Sequence, residues 1–148
     1  MLLHSKQEVC IHRMNIGTLC IHPGEKQSGF LEVVGCGYEL PVTVIRGHAG
    51  DRTALVTAGI HSAEYVGIQA AIELAEELQP EAVRGTVVIA PLINVSGFSH
   101  RTMSIVYEDN KNLNREFPGA AGGTTAEQIC HTVATELIHR ADYYIDLH

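Results

Sequence analysis

From residue 51 onward, short apolar runs alternate with segments of helical periodicity, and this alternation constrains the fold more than any other feature of the chain. Residues 53–60 (TALVTAGI) read as a buried strand. Val66, Ile68, Ala71, Ile72, Ala75 and Leu78 then fall mostly three or four apart, which predicts a helix ended by Pro80. Residues 85–94 (GTVVIAPLIN) predict a second buried strand, and the polar stretch 95–123 a long loop. Thr124 with Glu127 has the spacing of a capping box, opening a helix striped by Ile129, Cys130, Val133, Ala134, Leu137 and Ile138. Residues 142–147 (DYYIDL) predict a third strand. This order fits right-handed crossovers in a parallel sheet, and continuously apolar strands fit a sheet covered on both faces. The expectation is an α/β domain with a mainly parallel sheet flanked by helices.

The first fifty residues read differently. Segments 16–22, 29–34 and 39–45 are rich in β-branched and apolar side chains, separated by His22-Pro23-Gly24 and Gly35-Cys36-Gly37. The chain therefore divides into a β-rich N-terminal segment, 1–50, and an α/β unit, 51–148. Its 148 residues are 45% hydrophobic and 18% charged, a globular balance. A net charge of −7 without a Lys/Arg cluster argues against a nucleic-acid partner. No apolar run approaches the ~20 residues that span a bilayer, and the first residues do not resemble a secretory signal. Cys10, Cys20, Cys36 and Cys130 are too scattered for a disulfide frame or zinc ribbon and suit reduced thiols. A cytoplasmic protein without a membrane partner is expected.

Two short segments follow predicted strands, Gly59-Ile60-His61-Ser62-Ala63-Glu64 and Asp146-Leu147-His148. The carboxyl edge of such a sheet is where ligands bind, so His61 and His148 are expected to meet there. Glu64, three positions after His61, can converge with it at a helix start. Two imidazoles and a carboxylate form the ligand set of a catalytic zinc, which would polarise a carbonyl and acidify water. Taken alone, His61 and Glu64 also fit a solvated helix start. Asn114-Arg115 in the long loop supplies a planar, permanently charged fork suited to a carboxylate, although a lone Arg115 also fits a solvated loop. Arg101, earlier in that loop, could hold an oxyanion. His100 lacks a partner at metal spacing; His131 and His139 fall on the polar side of a helix, and His4, His12, His22 and His48 lie near turns or strand ends.

The motifs GIHSAEYVGIQAA (59–71), EDNKNLNREFPG (108–119) and YIDLH (144–148), in this order, resemble the succinylglutamate desuccinylase/aspartoacylase family of the zinc carboxypeptidase-like superfamily. The resemblance runs from about residue 29 to the last. It implies zinc held by His61, Glu64 and His148, a substrate carboxylate held by Asn114 and Arg115, and a carbonyl assisted by Arg101. The implied activity is hydrolysis of an amide beside a carboxylate in a small N-acyl amino acid or peptide-like substrate. The alternative is a catalytically inactive metal-binding fragment or assembly module.

Ser62 stands where glycine commonly follows the first histidine, Val95 follows Asn94 where many relatives have proline, and Met103 replaces a second arginine. Relatives run to about twice this length and draw their general base from the second half, to which nothing here corresponds. An incomplete carboxypeptidase-like domain with an open sheet edge is therefore expected, with homo-oligomerisation as its consequence.

Overall fold

The structure, a computed structural model, describes residues 13–148. Cys10, His4 and His12 lie outside the described residues. Strands β1 (Met14–Ile16) and β2 (Leu19–Ile21) form a small antiparallel hairpin. The main sheet is built from β3 (Lys26–Glu32), β4 (Glu39–Arg46), β5 (Thr53–Ala58), β6 (Thr86–Ala90) and β7 (Tyr143–Leu147). Its strand order is β3-β4-β6-β5-β7. The sheet is mixed: β5 pairs in parallel with both β6 and β7, whereas β4 runs antiparallel to β3 and β6. Parallel pairing thus occupies the half that carries the helical crossovers.

Segment 16–22, expected as one strand, folds instead into the hairpin turn. Gly17 adopts φ +53, and a Cβ there would stand 2.1 Å from the Phe30 carbonyl oxygen, so this position reverses the chain.

Helix α1 (Tyr65–Glu77) covers one sheet face, where Ile68 and Ala71 pack with Ile45, Val56, Ala58 and Ile89. The expected stripe is only partly used, since Val66 and Ile72 are exposed. Helix α2 (Val95–His100) occupies the start of the stretch expected as loop. Six residues that include glycine and two serines carry little helical propensity. The buried Asn94 side chain compensates by accepting the Gly97 N–H at 2.8 Å and donating to the Ile105 carbonyl at 3.2 Å.

Helix α3 (Thr125–Thr132) covers the opposite face and continues through a π-helical turn, Val133–Leu137, into the 3₁₀ turn Ile138–Arg140. The Thr124 N–H donates to Glu127 Oε2 at 2.7 Å, the reciprocal half of the expected cap. Ile129, Cys130, Val133 and Leu137 pack with Leu55, Val88, Val42 and the hairpin residues Ile16 and Ile21. Among the described residues no helix is long and apolar enough to cross a membrane. Strand β7 forms one margin of the sheet and exposes Tyr143, Tyr144 and Ile145.

Helix α1 can approach β7 because position 67 is glycine: a Cβ there would lie 2.7 Å from the Leu147 carbonyl oxygen. Gly67→Ala is expected to lever α1 off β7 and to lower stability by about 1–3 kcal/mol in denaturant titration. An unchanged midpoint would show that the approach is not tight.

Candidate metal centre

Register places the site. The β5–β7 pairing sets Thr57 against Asp146 and Ala58 against Leu147, so the chain leaves both strands at the same edge. From β5, Gly59 and Ile60 lead directly to His61, and Glu64 forms the N-cap of α1. His148 follows the last residue of β7. His61, Glu64 and His148 each offer a ligand atom, and these atoms all lie within 4.8 Å of one another. The two imidazole rings meet edge-on with centroids 4.6 Å apart.

Hydrogen-bond partners select the tautomer of each neutral ring. Asn112 Oδ1 accepts the Asn114 N–H at 2.9 Å, which identifies that atom as the oxygen. His61 Nε2, 3.0 Å from the same oxygen, must therefore carry the ring proton. In neutral imidazole the other nitrogen is then a bare lone pair, and His61 Nδ1 faces Glu64 Oε1 at 3.0 Å. His148 Nδ1 lies 3.0 Å from Asp146 Oδ2, an acceptor, so its proton sits there and its Nε2 lone pair stands 3.9 Å from Glu64 Oε1. Glu64 Oε2 is buried and has no hydrogen-bond partner among the described residues. With both rings neutral, two imidazole lone pairs and a carboxylate converge on one point. The arrangement fits a divalent cation, and the N₂O donor set is that of catalytic zinc. Asn112 and Asp146 hold the outward nitrogens of the two rings, the place that outer partners take around metal-binding imidazoles in general.

The other expected residues occupy the same end of the molecule. Asn114 and Arg115 lie in a 3₁₀ turn, Leu113–Arg115, fixed by the Asn112 side chain. Asn114 lines a cleft of about 360 Å³ with Ile60, Phe117, Ile138, Tyr144 and Asp146. Arg101 caps α2 in the left-handed conformation and borders a small recess with Ser62, Ala63 and Tyr65. Neither the Arg101 nor the Arg115 guanidinium forms an ion pair among the described residues. A larger cleft of about 720 Å³ opens beside Glu64 and His148 and is also lined by Tyr65, Val66, Gly67 and Leu147.

Two departures from the family pattern acquire a reason. The buried Ser62 hydroxyl donates to the Met103 carbonyl at 2.9 Å, and the Ala63 N–H donates to it at 3.0 Å. Met103 itself adopts φ 62, so the loop bends to present that carbonyl to the His61 segment.

Glu108 and Glu116 flank the Asn114–Arg115 pair, yet both are engaged elsewhere. Glu108 accepts from Ser96 Oγ at 2.6 Å and from the Tyr38 hydroxyl. Burial would raise its pKa, but these bonds outweigh burial and hold it below the ordinary glutamate value. Glu116 pairs with Lys111 at 3.4 Å. Asp109 accepts the Ala126 N–H at 2.8 Å and anchors the start of α3. His100, the histidine without a metal partner, stacks on Tyr107 with centroids 4.0 Å apart. Burial pushes the Cys130 thiol up to about 12, which leaves it protonated and unreactive.

Known proteins share both the sequence pattern and the fold. The model of the succinylglutamate desuccinylase/aspartoacylase catalytic domain matches residues 50–148. The chain belongs to this family. Over 111 residues it is 39% identical to the N-alpha-acetyl-L-2,4-diaminobutyric acid deacetylase of Halomonas elongata, covering 74% of this chain and 31% of that protein. The product-bound structure of an ectoine utilization protein from Ruegeria pomeroyi matches with TM-score 0.77 at 31% identity, covering 87% of this chain and 41% of that one. A metallo-carboxypeptidase from Burkholderia cenocepacia shares the fold alone, with TM-score 0.57 and 20% identity over 81% of this chain and 36% of that one. The carboxypeptidase-like α/β architecture expected from the motifs is therefore present. The chain spans about a third of the curated relative and about two fifths of the solved structures.

Proposed function

We propose that this chain carries the metal centre of a zinc-dependent hydrolase that cleaves amide bonds beside a carboxylate, acting as an N-acyl amino acid deacylase. The observation that carries this reading is the convergence of the His61 Nδ1, Glu64 and His148 Nε2 lone pairs on one point. When bound there, zinc supplies Lewis acidity and lowers the pKa of water to roughly 7. His61, Glu64 and His148 would hold it, with Asn112 and Asp146 keeping both rings in the binding tautomer. Arg115, whose guanidinium forms no ion pair among the described residues, would take the substrate carboxylate in a two-point contact, with Asn114 beside it. Arg101, on the Ser62–Ala63 side, would stabilise negative charge developing on the carbonyl oxygen. The deacetylase activity named for the Halomonas elongata relative supports a small acyl group on an amino acid as the substrate class.

One observation favours a weaker activity for these 148 residues alone. Glu108 is occupied by Ser96 and Tyr38, and Glu116 by Lys111, so neither takes a proton from water at this edge. General-base assistance contributes typically 10²–10⁴-fold. The chain is therefore expected to bind about one zinc, which elemental analysis after dialysis would count and His61→Ala would abolish. It should hydrolyse N-acetyl-2,4-diaminobutyrate, N-acetyl-aspartate and N-succinyl-glutamate slowly. No zinc above a control protein would refute the metal reading. Rapid turnover abolished by Glu64→Ala would show instead that the base lies within these residues.

The β7 margin, unpaired on its outer side among the described residues, supports self-association, since a strand edge bearing Tyr143 and Ile145 invites pairing with a second copy. Light scattering is expected to show dimers or larger species that Ile145→Lys disperses; a wild-type monomer at high concentration would exclude this.

A further inference from the structure

We infer that Thr57 and Tyr144 are positioning residues for His148, acting through Asp146. The inference rests on the metal reading above and adds residues that lie beyond the ligands and their immediate partners.

Thr57 is fully buried near the carboxyl end of β5, one strand in from the β7 margin, where an apolar side chain would be the ordinary choice. Parallel register sets it directly opposite Asp146, and Tyr144 is two residues before Asp146 on the same strand face. The Thr57 hydroxyl reaches Asp146 Oδ1 at 2.6 Å. An ionised carboxylate only accepts, so the single hydroxyl proton of Thr57 is spent on Asp146. The Tyr144 hydroxyl lies 3.0 Å from Thr57 Oγ, and with that proton spent Tyr144 is left as the donor. Although Tyr144 is partly exposed, desolvation of its hydroxyl raises the phenol pKa, which keeps the donating proton in place.

The result is a one-way relay of hydrogen-bond donors. Tyr144 donates to Thr57, Thr57 to Asp146 Oδ1, and His148 Nδ1–H to Asp146 Oδ2. With both carboxylate oxygens bound, the plane of Asp146 is fixed and so is the edge it offers to His148. That selects the tautomer whose Nε2 lone pair faces Glu64. Thr57→Val keeps the shape of the side chain and removes the donor. Asp146 would then hold one fewer bond, and its carboxylate could turn away from His148.

The test uses the whole chain and two readouts. In metal-free protein at alkaline pH, nitrogen-15 NMR of His148 should show the Nδ1–H tautomer. Thr57→Val should convert this to a mixture and Thr57→Ser should restore it. In zinc competition against a chromophoric chelator, Thr57→Val should weaken binding by about 10-fold, toward the low end of the range seen for outer partners of metal-binding histidines. Tyr144→Phe should weaken it several-fold, and Thr57→Ser should recover it. Thr57→Val should cost little further when Asp146 is already Ala. Wild-type tautomer and affinity in both Thr57→Val and Tyr144→Phe would overturn the inference. An undiminished Thr57→Val effect in the Asp146→Ala background would also overturn it, because the residue would then act on packing. If Thr57→Val fails to fold, Tyr144→Phe and Thr57→Ser decide the same question. Absence of zinc binding by the wild type would instead strike the metal reading, while the tautomer measurement still decides the relay.

Discussion

The parallel pairing of β5 with β7 is the constraint on which everything else depends. It brings His61 and His148, remote in sequence, to the same edge of one sheet. Parallel neighbours leave a sheet in the same direction, so residues just past their ends converge without further design. A slip of one residue would turn Thr57 and Asp146 to opposite faces and separate His148 from Glu64. The register is held at its other end as well: Asp142 accepts the Thr53 N–H at 2.8 Å and pairs with Arg52 at 2.8 Å.

The site is assembled at a cost to stability. A buried carboxylate oxygen without a partner among the described residues, as at Glu64 Oε2, costs about 1–3 kcal/mol relative to a satisfied one. The surrounding structure does not relieve it. Instead, Asn112 and Asp146 engage the outward nitrogens of the two imidazoles, so that in the neutral rings the lone pairs face inward, toward Glu64. Polar groups kept in such opposition make sense where a cation provides what the protein withholds.

Much of this was legible in the sequence. Strands β4 to β7, helix α1 and the start of α3 follow from apolar runs, Pro80 and the Thr124–Glu127 spacing. The meeting of His61, Glu64 and His148 at one edge follows from motif placement at strand ends. Helix α2 was not legible, because its stability comes from the Asn94 side chain acting on both Gly97 and Ile105 rather than from its own residues. The antiparallel attachment of β4 to β6 was also hidden, since apolar alternation specifies a strand but not its neighbour. Asn112 stood inside the Asn112–Arg115 segment without a role of its own; its contact with His61 depends on the 3₁₀ turn that directs one oxygen to both Asn114 and His61. Thr57 carried no signal beyond being a hydroxyl in a buried run, and only the register with Asp146 explains it.

X-ray absorption at the zinc edge of metal-loaded chain tests the central claim most directly. Coordination by His61, Glu64 and His148 predicts only nitrogen and oxygen neighbours at about 2.0–2.2 Å, with the outer-shell scattering of two imidazoles. That imidazole scattering should fall by half in His148→Ala. A sulfur neighbour near ~2.3 Å, or a spectrum without imidazole scattering, would contradict the account.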